Sequence, residues 1–384
     1  MIRMFTAYTE EIDEAEIAVS ELLEQLNLDS RLLRNSVGIV HCFSDFLEGG
    51  LLQSLNEALP FDLVGCTTLS VSAPDFMSQM GLTLTVLTSD DIQFVTGVSD
   101  PIDGDMSGPV TALYERLISG LPQKPAMLTP FIPFMLTIGG DEFIEKIDAL
   151  SGGIPAFGTL AISNEPDYSK IYTIYNGDYY DTSLVLLAFI GDVEPVFFSA
   201  SVDDANILKQ KAVVTSAKRN ILETVNNVPT VDYLESIGLA KDGDSSGLVS
   251  MPLIVSLEDG SKLIRACIAF TEERGAILCG AIPVNSILAL STMGIDDVVQ
   301  STAEKIGEAV DAAGGKNVLI YSCAGRRWAL GINGMAEHEA VTERTKDALP
   351  YCFAYSGGEI FPERFADGRI VNHLQNDSII ICVL

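Results

Sequence analysis

The sequence has few of the residues from which metal and nucleic-acid sites are built. It contains only three histidines, and no CxxC pair occurs among its seven widely spaced cysteines. Structural zinc sites need several such ligands at close spacing, so we expect no metal site. Basic residues are scarce too, because 23 lysines and arginines face 53 acidic residues, for a net charge of −30. That charge repels phosphate backbones and anionic lipid, so we expect no nucleic-acid or membrane partner.

Long apolar segments and nucleotide-binding motifs are also missing. No stretch approaches the roughly 18 apolar residues that cross a bilayer, and the longest runs, residues 184–190 and 379–384, are typical of buried strands. An acidic N-terminus without an apolar block argues against a secretory signal. The odd number of widely spaced cysteines indicates free thiols, and we expect a cytoplasmic protein. The chain has neither a GxGxxG sequence nor a P-loop, and we expect no cofactor.

A strand–helix–strand pattern recurs in residues 37–71, 134–163 and 317–360. Each copy begins with an apolar, β-rich run, continues into a helical segment, breaks at a proline and ends in a second apolar run. Such units normally make right-handed crossovers between parallel strands, and ligands bind at the carboxyl ends of those strands. Small residues occur at these ends, so we expect six loops to converge on a ligand site. Turn formation alone also explains each small residue taken singly.

Further elements are predicted outside the repeats. Residues 81–87 alternate between apolar and polar, which predicts an antiparallel strand, and residues 170–201 are typical of a meander. Helices are predicted at residues 216–225, 230–237 and 296–313, the last two followed by glycine. The expected fold class is therefore mixed α/β, with mixed sheets flanked by helices.

Several motifs, taken in their order, resemble the FIST family. VGIVHCFS, LPFDLVGCTT and PAFGTLAISN are similar to segments of the FIST N module. YSCAGRRWALG, YSGGEIFP and NDSIIICVL are similar to segments of the FIST C module. The resemblance implies an N module over residues 1–208 and a related C module over residues 209–384. No F-box, kinase, cyclase or chemotaxis module is recognised, so we expect a free-standing FIST protein.

The resemblance also implies a function, that of an intracellular sensor of small ligands, with amino acids proposed as ligands. Two departures from the family pattern lie at the proposed site. Leu69-Ser70-Val71 follows Cys66-Thr67-Thr68 where the family commonly has a Gly-Glu pair, and Gly158-Thr159 replaces a Gly-Gly pair. The ligand is therefore expected to differ from that of other members, or the subsite in the N module to be lost.

Arg326 is the leading candidate for ligand binding, because it follows a strand end and matches an arginine of the family. A guanidinium group holds a carboxylate in a bidentate pair, and Glu359 would hold an amino group. Together the two suit an amino acid or a similar small carboxylate. The alternative is that Arg326 and Glu359 form an ion pair with each other. The other candidates for ligand binding are Cys323, Gly358, Cys66, Thr67, Gly158, Thr159 and Asn376.

Two other classes of function stay open. A cysteine-dependent hydrolase or transferase would use Cys323 or Cys66 as nucleophile, with His338 or His373 as base. Neither cysteine lies in a known nucleophile elbow, and we expect no catalytic residue. A protein-interaction scaffold is the third class, since FIST modules also occur beside F-boxes. We favour a sensory protein of signal transduction that binds a small ligand and has a signalling protein as partner.

Overall fold

The computed structural model describes residues 1–134, 139–165, 167–241, 248, 251–257, 261–314, 316–345, 349–365 and 367–384. Within these residues helices and strands are mixed along the chain, which confirms the α/β class. No helix among them is both long and apolar enough to cross a membrane. The helices are α1 (Ala15–Leu26), α2 (Leu51–Ala58), α3 (Ser107–Ile118), α4 (Gly140–Ser151), α5 (Thr230–Ser236), α6 (Ile295–Ala313), α7 (Ala324–Ala329) and α8 (Ala336–Thr345).

The strands are mostly short. The strands of the first half of the chain are β1 (Arg3–Thr9), β2 (Asn35–Cys42), β3 (Leu63–Thr67), β4 (Val71–Ala73), β5 (Phe76–Ser78), β6 (Leu82–Ser89), β7 (Gln93–Val98), β8 (Met127–Ile132), β9 (Gly158–Leu160), β10 (Thr173–Tyr175), β11 (Asp178–Tyr180), β12 (Val185–Ile190) and β13 (Val196–Ala200). The later strands are β14 (Ile207–Lys218), β15 (Ile221–Val225), β16 (Val228–Pro229), β17 (Leu253–Ser256), β18 (Lys262–Arg265), β19 (Cys267–Phe270), β20 (Ala276–Leu278), β21 (Ile287–Ser291), β22 (Val318–Cys323), β23 (Tyr351–Ser356), β24 (Glu359–Arg364), β25 (Ile370–Gln375) and β26 (Ile379–Val383).

Within the described residues the strands form four sheets. Sheet 1 has the order β1-β6-β2-β3-β10-β11, sheet 2 the order β25-β24-β9-β8-β12-β7, and sheet 3 the order β13-β26-β22-β23-β4-β5. Sheet 4 has the order β18-β17-β21-β14-β15-β20-β19, with β16 on β15. Sheets 2 and 3 contain strands from both predicted modules, so the two halves of the chain are interleaved. The boundary between residues 208 and 209 stays a prediction.

The three predicted strand–helix–strand units are present, one in each of sheets 1, 2 and 3. The pairs β2–β3, β8–β9 and β22–β23 are parallel, as the repeat predicts. In the second unit the first strand is Met127–Ile132, so the strand begins before the run that we expected to start at residue 134. Residues 135–138 of that run lie outside the described part of the chain. The largest apolar core contains side chains from all three units.

The helix predicted at residues 216–225 is wrong. These residues lie in β14 and β15, which form an antiparallel hairpin. Its turn contains Arg219 with a φ of 55°, a left-handed conformation that the sequence does not signal with a glycine. Val214, Leu222 and Val225 are buried in the core of sheet 4. The pairing of β14 with β21 and of β15 with β20 thus outweighs the local spacing of apolar residues that favoured a helix.

The meander predicted at residues 170–201 is also wrong, although strands do occur there. Strands β10 and β11 form a hairpin in sheet 1, β12 lies in sheet 2, and β13 is an edge strand of sheet 3. Strands β10, β12 and β13 each pair with a strand that is distant in the sequence, β3, β8 and β26 respectively. Burial of β12 against strands on both sides explains why its six residues are all buried.

Candidate functional site

The carboxyl ends of the second strands of the three units lie side by side. At the end of β3, the Thr67 carbonyl oxygen accepts a hydrogen bond of 3.1 Å from the backbone N–H of Ile162, just after β9. On β9 itself, the Thr159 hydroxyl donates a hydrogen bond of 2.8 Å to Ser356 Oγ at the end of β23. These contacts bring loops from both predicted modules to one place in the molecule.

Arg326 lies at this edge of sheet 3, but its partner is Glu337 and not Glu359. Arg326 Nε donates to Glu337 Oε1 at 2.9 Å, and Arg326 Nη2 donates to Thr302 Oγ1 at 2.7 Å. Both charged side chains are almost completely buried. The alternative of an ion pair between Arg326 and Glu359 is therefore wrong, and the guanidinium group is already held by α6 and α8. Whether Arg326 contacts a ligand stays a prediction.

Glu337 was missed by the sequence analysis. Its second carboxylate oxygen, Oε2, accepts hydrogen bonds of 2.9 Å from Ser322 Oγ and from the Tyr355 hydroxyl. Ser322 and Tyr355 lie on the parallel strands β22 and β23, so this carboxylate ties α8 to the third unit. The sequence signals it only as one of several acidic residues in a helical segment, where a solvent-exposed position is the usual expectation.

A second group of buried polar side chains has unpartnered atoms. We call Cys323, Glu359, Asn376 and Asp377 the buried polar cluster; each is at most 3% exposed. Glu359 Oε1, Asn376 Nδ2 and Asp377 Oδ1 have no hydrogen-bond partner among the described residues. The second carboxylate oxygen of Glu359 accepts a hydrogen bond of 2.8 Å from Ser378 Oγ. More than nine in ten buried polar groups are normally paired, so three orphans in one place call for an explanation.

Two glycines make room for the buried polar cluster. A Cβ atom at Gly325 would overlap with Asp377 Oδ1, and it would lie 3.7 Å from Cys323 Sγ. A Cβ atom at Gly358 would lie 3.2 Å from Asn376 Nδ2. Asp377 itself has a φ of 51°, in the left-handed region that costs energy for residues other than glycine. Strained backbone and close glycines are both common where a ligand is held.

Burial changes the protonation of the cluster. It raises the pKa of Asp377 from its ordinary value of 3.8 to about 7, against the opposing effect of the Arg326 charge. Burial also raises the pKa of Glu359 well above its usual range, and the neighbouring charge of Asp377 adds to the effect. The pKa of the Cys323 thiol is raised by burial and by the same two carboxylates. At neutral pH Cys323 is therefore a thiol and a weak nucleophile.

The remaining predicted residues have contacts that explain them structurally. Cys66 lies in the apolar core, where burial and the neighbouring Cys42 and Cys352 raise the pKa of its thiol. A Cβ atom at Gly158 would lie 2.6 Å from Pro130 Cδ on the adjacent strand. The Gly358 carbonyl oxygen accepts a hydrogen bond of 2.9 Å from the backbone N–H of Leu160. Their predicted roles in ligand binding are not tested by these contacts.

The histidines proposed as bases have other partners. His373 Nε2 lies 3.4 Å from a carboxylate oxygen of Glu363. His338 is buried between two serine hydroxyls, with Nε2 at 2.8 Å from Ser70 Oγ and Nδ1 at 2.9 Å from Ser72 Oγ. A third histidine does contact a cysteine: His41 Nδ1 lies 3.6 Å from Cys352 Sγ. Burial lowers the pKa of His41 to about 3 and raises that of Cys352 to about 11, so this pair is neutral.

Comparison with known proteins identifies the family. The FIST N domain matches residues 36–228 and the FIST C domain matches residues 231–362. The chain belongs to the FIST family. FIST domains are sensory domains of signal transduction that bind small ligands. Comparison with curated proteins gives no match.

Among solved structures, cyanuric acid hydrolase from A. caulinodans is 10% identical over 100% of this chain and 98% of that chain, with a TM-score of 0.34. PurLQS from Thermotoga maritima is 9% identical over 100% of this chain and 72% of that chain, with a TM-score of 0.22. At these TM-scores neither likeness supports a statement about the fold or the activity of this FIST protein.

Proposed function

We propose that this FIST protein senses an amino acid or a similar small zwitterion, which binds at the buried polar cluster. The observation that carries the proposal is the set of three unpartnered atoms, Glu359 Oε1, Asp377 Oδ1 and Asn376 Nδ2. Two are carboxylate oxygens, which accept hydrogen bonds from an ammonium group. The third is an amide nitrogen, which donates to a carboxylate. An amino acid offers both groups a few bonds apart.

The electrostatics of the cluster suit a positively charged group near the two carboxylates. Asp377 and Glu359 raise each other's cost of ionisation in a buried site, and an ammonium group between them would remove that cost. Hydrogen bonds with charged partners are also stronger where water is excluded. Arg326 favours ionisation of both carboxyl groups through its charge, while its donors stay with Glu337.

The burial of the cluster sets a limit on the ligand and suggests how a signal arises. Glu359 and Asn376 are 0% exposed, so the protein must open for a ligand to enter. We therefore expect a small ligand and slow association. A ligand that binds one of two conformations more tightly shifts the population between them, and a partner protein can read that shift.

A ligand screen by thermal denaturation tests the proposal. Amino acids and small carboxylates are the panel, and a ligand at about 100 times its Kd adds roughly 2.7 kcal/mol to the free energy of unfolding. We expect one group of related compounds to raise the Tm by several degrees. The isosteric variants Asp377→Asn and Glu359→Gln should abolish the rise, because each removes a carboxylate that would hold the ammonium group.

Asp311→Asn is the matched control, since Asp311 is an exposed aspartate on α6. It should show the same rise in Tm as the unmodified protein. A panel without a hit, or a hit that survives both Asp377→Asn and Glu359→Gln, would remove the support for this site. A panel without a hit would also favour the scaffold alternative, which pull-down experiments then address.

The pH dependence of stability tests the protonation of Asp377 without any ligand. Because the pKa of Asp377 is about 7 in the folded protein and near 3.8 in the unfolded chain, the folded state holds the extra proton. Between about pH 4 and pH 7 this group therefore destabilises the fold as the pH rises, by up to roughly 1.4 kcal/mol per pH unit. Urea denaturation of the protein and of Asp377→Asn should show this difference in slope. Parallel curves would contradict it.

A further inference from the structure

A cleft of about 1150 Å³ lies where sheets 2, 3 and 4 approach one another, and it borders the buried polar cluster at Ser378. Its walls include three edge strands, β13, β25 and β18, together with β24 beside β25. Gln375 connects two of these strands, because its Oε1 accepts from the backbone N–H of Ile264 at 3.1 Å and its Nε2 donates to the Lys262 carbonyl oxygen at 3.3 Å. The cleft is thus built on strands that are tied to one another.

Positively charged side chains outnumber negatively charged ones in the lining of this cleft, in contrast to the chain as a whole. The lining holds four cations, Lys262, Lys305, Lys316 and Arg364, and two acidic residues, Glu194 and Glu363. Asp204 and Glu308, the ion-pair partners of Lys262 and Lys305, offset the excess of cations, so the region carries no net positive charge once they are counted. We call this region the basic cleft, because its remaining cations would attract an anion at short range in a protein whose net charge is −30.

Two of the four cations are available for a ligand. Lys262 forms an ion pair with Asp204, and Lys305 forms one with Glu308 at 2.9 Å. Lys316 has no carboxylate partner within the described part of the chain, and the same holds for Arg364 there. A phosphate or carboxylate group of a ligand would supply the missing counter-charge, and arginine binds both groups with two parallel hydrogen bonds.

Aromatic rings form the apolar part of the basic cleft. Phe197 and Phe198 on the edge strand β13 are half-buried, as is Phe361 on β24. Phe197 is anchored because it stacks on Phe157 with ring centroids 6.0 Å apart and meets the edge of Phe361 at 6.4 Å. Ring surface left open on an edge strand is what a flat ligand covers by stacking.

We propose that the basic cleft is a second ligand site and binds an aromatic polyanion of nucleotide size. The ring of the ligand would stack on Phe198 at the edge of sheet 3, and its anionic groups would reach Lys316 and Arg364. The volume exceeds the range of roughly 300–1000 Å³ that is usual for small-molecule sites, so a single amino acid would leave most of it empty. The absence of a P-loop does not matter here, since side chains supply the positive charge. This proposal does not rest on the amino acid site, although Ser378, which donates to Glu359 there, also lines the cleft.

Fluorescence anisotropy with mant-ATP, a nucleotide that carries its own fluorophore, tests the proposal on the chain of 384 residues. We expect saturable binding that weakens with added salt and falls at least about tenfold in the double variant Lys316→Gln/Arg364→Gln. The matched control is Lys209→Gln/Lys211→Gln, which removes two exposed lysines of β14 that do not line the cleft. It should leave the affinity unchanged.

Competition experiments distinguish the contribution of ring stacking to binding from the contribution of charge. ATP should displace the probe more effectively than inorganic tripolyphosphate, and Phe198→Leu, checked for unchanged folding by circular dichroism, should remove that advantage. Three results would overturn the proposal: no binding of mant-ATP, equal affinity in the Lys316→Gln/Arg364→Gln variant, or equal competition by ATP and tripolyphosphate. Stronger displacement by a hexaglutamate peptide than by ATP would also overturn it, in favour of an acidic segment laid along β13.

Discussion

Replacement of Arg326 by alanine is expected to lower the free energy of unfolding by about 3–5 kcal/mol, because it leaves a buried carboxylate without its charge partner. Arg326 and Glu337 are 1% and 0% exposed. The Glu337 carboxylate would keep hydrogen bonds from Ser322, Thr302 and Tyr355, but no neighbouring cation would compensate its charge. Urea denaturation followed by circular dichroism measures the loss.

Arg344→Ala is the control for this experiment, since Arg344 is exposed on α8, the helix that carries Glu337. Its effect should stay within about 0.5 kcal/mol, as is usual for surface substitutions. A loss of less than about 1 kcal/mol in Arg326→Ala would show that the ion pair does not hold α8 to the sheet. The result also determines how ligand-binding experiments on Arg326→Ala are interpreted. If this variant is partly unfolded, a loss of ligand binding does not show that Arg326 holds a carboxylate group of the ligand.

Gly65→Ala is expected to destabilise the protein by at least about 3 kcal/mol, since the new methyl group has no space and the backbone is in a region that favours glycine. Gly65 has a φ of 155° and pairs with Val40 on the parallel strand β2. A Cβ atom there would overlap with the Val40 carbonyl oxygen and would lie 2.9 Å from the Val40 nitrogen. Backbone atoms of a central strand cannot move aside as the end of a side chain can.

Gly307→Ala provides the contrast. Gly307 lies inside α6, and a Cβ atom there meets nothing within 4 Å. Alanine should therefore stabilise the helix by up to about 1 kcal/mol, because it has the higher helix propensity. Thermal denaturation of the two variants side by side gives the comparison. If Gly65→Ala melts at the temperature of the unmodified protein, the close approach of β2 and β3 has been misjudged.

The sequence alone was enough to predict the three strand–helix–strand units and the family. Apolar runs, prolines and small residues recur in one order, and each run buries its side chains wherever the chain pairs it. For this reason the residue ranges of β2, β3, β22 and β23 are close to the predicted ones. The predicted Cys323, Glu359 and Asn376 also lie together, and each is at or beside a strand end: Cys323 ends β22, Glu359 begins β24 and Asn376 follows β25. The same reasoning could have predicted Asp377, which follows Asn376 in the sequence NDS.

Only the tertiary structure decided which partner each of these elements takes. The hairpin of β14 and β15 replaced a predicted helix because β20 and β21 offer it hydrogen bonds and a shared core. Arg326 pairs with Glu337 because α8 packs its acidic side chain against the ends of β22 and β23. The basic cleft gathers cations that lie far apart in the sequence. Local composition determines what a segment buries, whereas contacts between distant segments determine which charges and rings meet.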